Sequence, residues 1–571
     1  MSEPRPVPSR RELVRGGAAT AVAATALATL PTAATAQRPS VSMRSTDRPR
    51  TLTAALPAPP DLGVIVHNRC AFGPRPGDVA AFQALGSDDT GRLTAWVDQQ
   101  LAPGSIPDVD VDNRLSAAGF TTLGKSLTEL WADHVVANPP WEVRMQPLWE
   151  TRAATWIRAV YSERQLLEVL ASFWHDHFSV FGPDYWIGPV FVHYDRDIIR
   201  AHALGNFRTF LEAVATSNAM LYYLDNYTSS DAGPNENFAR ELFELHAMGA
   251  ENYLGVMSQQ DVPLDGNGIP VGYVDGDVFE ATRAFTGWTI SNDSNNPDVG
   301  NTGEFHYRAD WHDRFQKYVL GEFIPSDQPP LKDGRDVLDR LANHPGTARH
   351  IAGKLCRRLL GDDPPQSIID QAATVFAGAV AAPDQIAQTV RTILLSTEFQ
   401  STWADKIKRP FDIVASALRA GQADFPFVLG DSDYDSFSWR FSQTGQEPFT
   451  WRAPNGFPDH RDAWTSASPR VMSWRMVNWL VDVTDDSDNF YLDVLAQTPA
   501  GVRSATELVD FWIDRIHSRT LPAGERAELI DFMAQGYNPT FDLPLDTDDD
   551  IQERLRSLIG LMFMSPSFLW R

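Results

Sequence analysis

The chain has 571 residues, of which 43% are hydrophobic and 22% charged, and its formal net charge at pH 7 is −25. This length and apolar content predict a globular protein with a sizeable core, in one large or two ordinary domains, and exclude intrinsic disorder as its class. So acidic a chain lacks the basic surface that nucleic acids and anionic membranes require, so we expect neither as a partner. The charge is typical of a soluble secreted protein or of one from a salty habitat.

The N-terminus carries the three parts of an export signal in order. The run Ser9-Arg10-Arg11-Glu12-Leu13-Val14-Arg15 resembles a twin-arginine motif, a weakly apolar run follows over 16–30, and Ala34-Thr35-Ala36 forms a small-residue cleavage site. The apolar run is too short and too rich in alanine and threonine to remain as a membrane anchor. We therefore expect a twin-arginine signal peptide at 1–36 and a flexible linker at 37–60. The mature protein would be secreted or held in the cell envelope, without a membrane span.

Beyond residue 60 the apolar residues recur mainly at helical spacing. The sequence therefore predicts a mainly α fold, a large bundle-like globule of many helices with irregular inserted loops. We expect an N-terminal helical region at 61–330, which contains a central helix at 235–249. A C-terminal helical region at 331–571 would pack on it.

Residues 141–178 predict two long helices, and the second ends with a histidine pair, His175 and His177, between aromatic residues. Side chains two positions apart point about 160° apart on a helix, so one metal ion can take both histidines only if the helix has ended by His175. The alternative is that the aromatic flanks bury the histidines, each with a hydrogen-bond partner such as a glutamate of the central helix. A further helix is predicted over 207–224.

The run from Asn235 to Gly249 has no internal breaker and predicts one helix, closed at Gly249 by a left-handed cap. At about 100° per residue, an arc of roughly 140° collects four charged residues: Glu236, Arg240, Glu241 and Glu244. They form either a solvated face with ion pairs one turn apart, or acid and base groups that line a cleft, with Arg240 tuning the carboxyl groups.

His246 lies on the opposite arc of this helix, about 140–160° from Glu241 and Glu244. The helix alone therefore cannot bind a metal through both residue types, and a site that uses His246 needs ligands from another segment, such as His175 or His177. Export by the twin-arginine route favours a bound metal, because that route carries folded proteins, many of them already loaded with a cofactor.

Two polar loops are predicted after the central helix, at 251–276 and 291–303, with a helix over 277–289 between them and a strand at 305–307. His312 follows the strand. It is either a candidate ligand-binding residue at a site around the central helix or a solvated loop histidine.

In the C-terminal region helices return, and the stretch 439–464 is rich in tryptophan and proline. Trp451 and Trp464 predict either a platform that stacks on a flat ligand or a packed loop. Two helix endings, near Phe399 and near Phe568, resemble each other and indicate an internal repeat of a helical unit.

Five separate motifs occur in order along the chain: His67-Asn68-Arg69-Cys70-Ala71-Phe72-Gly73-Pro74, Gly205-Asn206-Phe207-Arg208, Tyr223-Leu224-Asp225-Asn226, the central helix, and Phe285-Thr286-Gly287-Trp288-Thr289. From about residue 60 to the C-terminus the chain resembles the bacterial family known as domain of unknown function 1800. The resemblance implies a widespread and often exported family, and it implies no particular activity.

The two cysteines, Cys70 and Cys356, are too few for a disulfide framework or a cysteine zinc site. Their apolar helical surroundings predict buried free thiols, with an oxidised pair outside the cell as the alternative.

Three functions fit these residues. The first is an exported enzyme of hydrolase type that acts on an extracellular substrate through a carboxylate-lined cleft, with a neutral glycan as the best candidate substrate. The second is a metal-dependent oxidoreductase or hydrolase, in which His175 or His177 and Glu241 or Glu244 hold a divalent ion. The third is a non-catalytic secreted scaffold or binding module.

Overall fold

A computed structural model of the chain describes residues 58–292 and 300–571. Of the described residues, 56% are helical and 5% extended, which confirms the predicted mainly α class. The predicted signal peptide at 1–36, nearly all of the predicted linker and residues 293–299 of the second polar loop lie outside the described residues. Among the described helices, none has both the length and the apolar character needed to cross a membrane.

The helices and strands follow one another along the whole described chain. Up to residue 292 the α-helices are α1 (Leu62–Cys70), α2 (Asp78–Gln83), α3 (Asp89–Gln100), α4 (Val109–Ala117), α5 (Leu127–Trp131), α6 (Trp141–Tyr161), α7 (Gln165–His177), α8 (Phe191–His193), α9 (Phe207–Ala215), α10 (Asn218–Tyr223), α11 (Asn237–Glu241) and α12 (Asp275–Ala284). From residue 300 onward they are α13 (Lys332–Ala342), α14 (Pro345–Leu359), α15 (Gln366–Gly378), α16 (Gln385–Leu394), α17 (Thr397–Ser401), α18 (Pro410–Ala420), α19 (Ser432–Ser442), α20 (Arg461–Trp464), α21 (Ala467–Leu480), α22 (Val494–Gln497), α23 (Ala505–His517), α24 (Ala523–Ala534), α25 (Asp549–Met564) and α26 (Pro566–Leu569).

Short strands pair in two antiparallel ribbons. β1 (Trp288–Ile290) pairs with β2 (Phe305–Tyr307), and β3 (Lys317–Val319) pairs with β4 (Glu322–Ile324). The strand predicted at 305–307 is thus confirmed, whereas the helix predicted over 277–289 was too long. It ends at Ala284, because Gly287 takes a positive φ of +80° and turns the chain into β1.

The central helix differs most from its prediction. Only α11 is α-helical, and Leu242–His246 continues it with π-helical geometry, in which hydrogen bonds join residues five apart. The interpretation of 235–249 as one regular helix was therefore wrong, and positions calculated at 100° per residue do not hold beyond Glu241. Gly249 does take a positive φ, of +88°, three residues after the helical segment ends. The helix predicted over 207–224 is also divided, because Ser217 caps a new helix by accepting a hydrogen bond from the backbone N–H of Met220.

The two long helices predicted within 141–178 are confirmed as α6 and α7. Buried apolar side chains form two large clusters, one drawn from 62–404 and the other mainly from 411–568. Helix α6 contributes to both, with Leu148 in the first cluster and Trp156 in the second. The clusters thus change over near residue 405, and the predicted division into regions at 61–330 and 331–571 stays a prediction.

The two similar helix endings have the same local geometry. After α16, the Ser396 hydroxyl accepts a hydrogen bond from the Phe399 backbone N–H at 3.1 Å, and after α25 the Ser565 hydroxyl accepts one from Phe568 N–H at 3.2 Å. Each serine starts a short helix that buries its phenylalanine. The likeness in sequence is therefore a repeated capping motif.

A buried ion cluster joins remote parts of the chain where the two apolar clusters meet. Asp412, whose side chain is 3% exposed, accepts a hydrogen bond from Arg571 at 2.8 Å and lies 3.4 Å from the Arg358 guanidinium and 3.7 Å from that of Arg409. Arg571 also donates to the backbone carbonyl of Arg69 at 2.9 Å. Burial alone would raise the pKa of Asp412, but the three guanidinium groups hold it well below its usual range.

The first prediction concerns this cluster. Asp412→Asn would leave the buried guanidinium groups without their counter-charge, so we expect a loss of about 3–5 kcal/mol in the free energy of unfolding, measured by urea denaturation at neutral pH. The matched control is Asp98→Asn, which breaks an ion pair with Arg391 whose side chains are about half exposed. That change should cost less than about 1 kcal/mol, and equal losses in the two variants would contradict the role given to Asp412.

Candidate functional site

The acidic arc of the central helix lies at the surface. Glu236 has a half-exposed side chain and accepts a hydrogen bond from Arg240 at 2.7 Å, and Arg240 also bonds to Asp275 of α12 at 3.2 Å. Glu241 and Glu244 are half-buried, and none of the four charged residues lines either cavity described below. The geometry favours the solvated face with ion pairs, and the catalytic assignment of these residues stays a prediction.

The candidate metal ligands are divided between two places. Helix α7 continues through His177, so the condition for joint ligation by His175 and His177 is not met, and the two side chains turn to different cavities. His177 approaches His246, with ring centroids 6.2 Å apart and its Nε2 atom 3.1 Å from the His246 carbonyl oxygen. Within 58–292 and 300–571 no group of three or more His, Cys, Asp or Glu side chains is arranged to hold a metal ion.

His246 is completely buried and packs against the Phe178 ring, and neither of its ring nitrogens has a hydrogen-bond partner among the described residues. Burial, together with the nearby Lys354 ammonium group, lowers the pKa of His246 to about 3, so the ring is neutral at pH 7. It is therefore a core histidine in the present arrangement.

The candidate site is a cavity between α7 and the loop 446–457. It encloses about 700 Å³, part of it open to solvent, and most of its wall is apolar, including the rings of Phe72, Phe411 and Phe449. Phe72 and Phe411 belong to the second apolar cluster, whereas Phe449 packs on the first. A largely apolar cavity with a few convergent polar groups is the usual form of a small-molecule site.

His175 is the histidine that faces this first cavity. Its Nε2 atom lies 2.9 Å from Oδ1 of Asp195, and its Nδ1 atom makes no hydrogen bond within the described part of the chain. Asp195 is 3% exposed and also accepts two hydrogen bonds from Arg200, at 2.9 and 3.0 Å. Burial opposes the charge of Asp195, yet Arg200 and His175 hold its pKa well below its usual range. Asp195 is therefore an ionised acceptor.

A π-helical segment, Tyr194–Arg200, produces the arrangement behind His175. Asp195 and Arg200 are five residues apart, which is one turn of a π-helix, whereas on an α-helix the same spacing would turn them about 140° away from each other. Arg200 then reaches Glu168 of α7 with two hydrogen bonds of 2.9 Å. The π-turn thus fixes the carboxylate that orients His175.

A second polar group, Gln446, also faces the first cavity. Its Oε1 atom accepts a hydrogen bond from the Phe411 backbone N–H at 2.9 Å, and its Nε2 amide makes no hydrogen bond to any described residue. Because the oxygen is held by the start of α18, the amide group of this lining residue is left available as a hydrogen-bond donor.

A second cavity adjoins the first and shares two lining residues with it, Asp176 and Phe457. It spans about 660 Å³ of space, part of it open solvent, and its charged lining residues are Lys354, Arg357, Arg358 and Arg409 against Asp176 and Asp459. Burial raises the pKa of Asp176, although its ion pair with Arg409, at 2.7 Å, opposes this. Asp176 thus lines both the apolar first cavity and the cationic second cavity.

The tryptophan- and proline-rich stretch forms the outer wall of both cavities. Trp451 is half-buried, lines the first cavity and donates to the Asn455 side chain at 2.8 Å. Trp464 is buried and donates to the Pro458 carbonyl at 2.8 Å, so it holds the loop together. His312 lies elsewhere in the core, between the Thr286 carbonyl and Asp333. Of the three predicted ligand-binding residues, Trp451 lines one of the two cavities described here, and Trp464 and His312 line neither.

Sequence reasoning missed Asp195, Arg200, Gln446 and Lys354. Asp195 and Lys354 each carried a weak signal, because Asp195 is one of two aspartates around Arg196 and Lys354 precedes two arginines at helical spacing in a strongly acidic chain. No local pattern indicated that Asp195 would contact His175. The two residues are twenty positions apart in sequence, and Asp195 is brought to His175 by the π-helical segment in which it lies. Both cysteines are buried and free in the structure, which matches the first of the two predicted states.

The chain belongs to the DUF1800 family, described as a protein of unknown function, and the family model matches residues 65–570. This confirms the resemblance found in the sequence. No match was found among the curated proteins or among the solved structures.

The motifs that carry the resemblance hold the fold together. The Arg69 guanidinium donates to the carbonyls of Phe399 and Thr402, at 3.1 and 2.8 Å. The Asn206 side chain caps α9 and donates to the Val380 carbonyl at 2.8 Å, and that of Asn226 donates to the Trp288 carbonyl at 3.3 Å. The side chains of Arg69, Asn206 and Asn226 thus tie segments that are remote in sequence, and these bonds explain the fold rather than an activity.

The second prediction concerns Gly456, whose φ is +68° and where a Cβ atom would collide with the backbone carbonyl of Asp176. Gly456→Ala should move the loop 446–460 off α7 and open both cavities, because neither backbone can yield easily. We expect faster amide hydrogen exchange in 446–460 and 172–180, measured by mass spectrometry.

The control is Gly445→Ala, because Gly445 has a similar φ of +82° but open space around the position of a Cβ. It carries the same backbone strain without the collision. If both variants exchange alike in these two segments, the close contact with Asp176 does not hold the loop.

Proposed function

We propose that this protein is an enzyme of hydrolase type that acts in the first cavity, with His175 as general base and Asp195 as the residue that orients it. The observation that carries the proposal is the hydrogen bond between Nε2 of His175 and a buried, ionised carboxylate, in a histidine that lines a mostly apolar cavity and whose other ring nitrogen makes no hydrogen bond among the described residues. A base oriented by a third group is a recurring arrangement of hydrolytic sites.

The hydrogen bond between His175 and Asp195, called the dyad below, determines which nitrogen of His175 carries the proton. The Asp195 carboxylate is ionised and can only accept hydrogen bonds, so the Nε2 atom of His175 carries the proton. In the neutral ring, Nδ1 then keeps its lone pair and can take a proton from a water molecule in the cavity. As the ring gains charge, the Asp195 carboxylate stabilises the imidazolium.

The remaining groups support hydrolysis of an ester or an amide. The Gln446 Nε2 donor can hydrogen-bond to the oxygen that gains negative charge when water attacks a carbonyl group. Such a donor is worth more in an apolar, largely enclosed cavity than in water, because the local dielectric is low.

The same cavity is less suited to glycoside cleavage. That chemistry needs two available carboxyl groups, and of the two carboxyl groups in the cavity wall Glu168 already has both oxygens bonded to Arg200. We therefore propose an ester or amide substrate in preference to a glycan.

The third prediction tests the dyad. In a screen of chromogenic esters and amides with apolar acyl groups, His175→Gln should lower kcat/KM about 10²- to 10⁴-fold, because the substitution removes the base and keeps a polar side chain of similar size. Gln446→Leu should lower kcat about 10²- to 10³-fold with little change in KM, because the donor acts on charge that develops in the transition state.

The matched control is His312→Gln, which alters another buried histidine paired with an aspartate, at 3.1 Å from Asp333, that does not line either cavity. It should retain activity. Full activity of His175→Gln, or no hydrolysis of any substrate by the unaltered protein, would contradict the proposal.

A further inference from the structure

We propose that the second cavity binds an anionic group, so that the substrate is an amphiphilic anion whose apolar part lies in the first cavity. That this molecule is a substrate rests on the hydrolase function proposed above, whereas the existence of an anion site rests on the second cavity alone. Its four cationic side chains outnumber its two carboxylates in a chain whose net charge is −25. The excess of positive charge is therefore local and runs against the charge of the whole protein.

The two carboxylates do not neutralise this excess. Asp176 is paired with Arg409 at 2.7 Å, and Asp459 lies 3.0 Å from Lys406, a fifth buried cation beside the cavity. In the described part of the chain, no carboxylate lies within ion-pair distance of Lys354 or Arg357. Lys354 and Arg357 thus line the cavity without a partner at ion-pair distance, and the carboxylates of Asp176 and Asp459 act on Lys354 only from farther away.

Hydrogen-bond donors are left over as well. Arg358 is 1% exposed, and its Nε and one terminal nitrogen have no hydrogen-bond partner among the described residues. The Nε atom of Arg409 is likewise unpartnered, and Lys354 makes no hydrogen bond within 58–292 and 300–571. Buried donors without partners are rare, and an oxyanion supplies the acceptors that these groups lack.

The sequence arranges these donors on one helix. Lys354, Arg357 and Arg358 lie three and four residues apart on α14, so their side chains project from the same face. A compact cluster of one ammonium and several guanidinium groups suits a carboxylate or a tetrahedral oxyanion, because each guanidinium offers two parallel donors.

The position of the cluster defines the rest of the ligand. Asp176 and Phe457 form the wall common to the two cavities, so a molecule with its anionic group among the cations has its nearest apolar surroundings in the first cavity. His175 and Gln446 then face the part of the molecule beyond this wall. The structure thus assigns the charged end and the reacting end of the substrate to different cavities.

The fourth prediction tests the anion site without any activity assay. In isothermal titration calorimetry at constant ionic strength, inorganic phosphate or acetate should bind to the full chain. The dissociation constant should rise at least tenfold in the double variant Lys354→Met, Arg357→Gln, because both unpaired charges are lost. Lys354→Arg keeps the charge and should retain binding, which separates loss of the site from a failure to fold.

The matched control is Arg391→Gln, which removes a cation from an exposed ion pair with Asp98 on the outer surface. It should bind the anions as the unaltered protein does. If the double variant binds them with an unchanged dissociation constant, or if the unaltered protein binds neither, the anion site is refuted. Phosphate and acetate in parallel show whether the site prefers a tetrahedral or a planar group.

The amphiphilic part is tested with butyl phosphate and butyrate. Each should bind more tightly than its inorganic or short counterpart, by up to roughly fourfold for each methylene group that is buried. Phe449→Ala should reduce this gain and leave the binding of inorganic phosphate unchanged, because Phe449 lines the first cavity and not the second. An equal affinity for phosphate and butyl phosphate would refute the placement of the apolar part in the first cavity.

Dependence on pH gives a signature of Lys354. Burial is the main cause that lowers the pKa of Lys354, to about 8, so its amine loses its charge as the pH rises through that value and anion binding should weaken. The ionisable groups that face it are Asp176, Asp459, Arg357, Glu251, His177, His246 and His350. Sulfate is the suitable probe, since its own charge is constant, and in Lys354→Arg the weakening should be absent up to about pH 10.

The two proposals fail in different ways. His175→Gln should bind phosphate normally, because His175 does not line the second cavity. Anion binding without any hydrolysis refutes only the enzyme. If the double variant loses anion binding but hydrolyses an amphiphilic anionic ester with unaltered kinetics, the anion site stands and only its role in holding the substrate is refuted.

Discussion

The fold depends on a small set of buried charges where its two apolar clusters meet. Asp412, near the start of α18, lies within reach of guanidinium groups from the C-terminus, from α14 and from the residue before α18. Isolated charges are costly to bury, so these groups are tolerated only together and only in this geometry. They therefore specify how the C-terminal residues dock on the first helix, a contact that apolar packing alone would fix less uniquely.

The buried ion cluster around Asp412 also fixes the position of the candidate site. Arg409 uses one side of its guanidinium near Asp412 and another to pair with Asp176, on the helix that carries His175. The cavities are thus built on side chains whose positions are set by the ion cluster, which is how a rigid scaffold supports a site with defined geometry. The π-turn at 194–200 adds the second support, because it directs Asp195 at His175 from behind.

Local patterns were sufficient for the parts of the fold that local forces determine. Helices α6 and α7 were predictable because their apolar residues keep helical spacing, and the strand at 305–307 because of its polar flanks. The π-helical segment after Glu241 was not predictable from local spacing. Two of its side chains, Phe243 and His246, are buried against the rings of Tyr273 and Phe178, which are remote in sequence. The division near Ser217 shows a competing local effect, a cap that overrides continuous apolar spacing.

The candidate site was predicted only in part. His175 was identified by residue type. The acidic arc of the central helix was predicted to be catalytic because of its charged residues, but the structure places Glu236 and Arg240 at the surface. The groups that complete the site, Asp195, Lys354 and Gln446, lie 20, 179 and 271 residues from His175 along the chain, so no spacing rule connects them.

The cationic second cavity should affect the stability of the folded protein, and the effect depends on whether an anion is bound. Lys354 and Arg357 lower the stability of the empty fold, because their charges lie close together on α14 beside that of Arg358 and have no partner at ion-pair distance in the described part of the chain. A bound anion removes that penalty and stabilises the folded state by mass action, in proportion to the logarithm of its concentration over its dissociation constant. Substitutions that neutralise these two side chains should therefore make the empty protein more stable while they abolish anion binding. If these side chains only supported the fold, the same substitutions would lower the stability of the protein, and the molecules that still fold would bind the anion normally. The sign of the stability change therefore separates a binding site from a structural ion cluster.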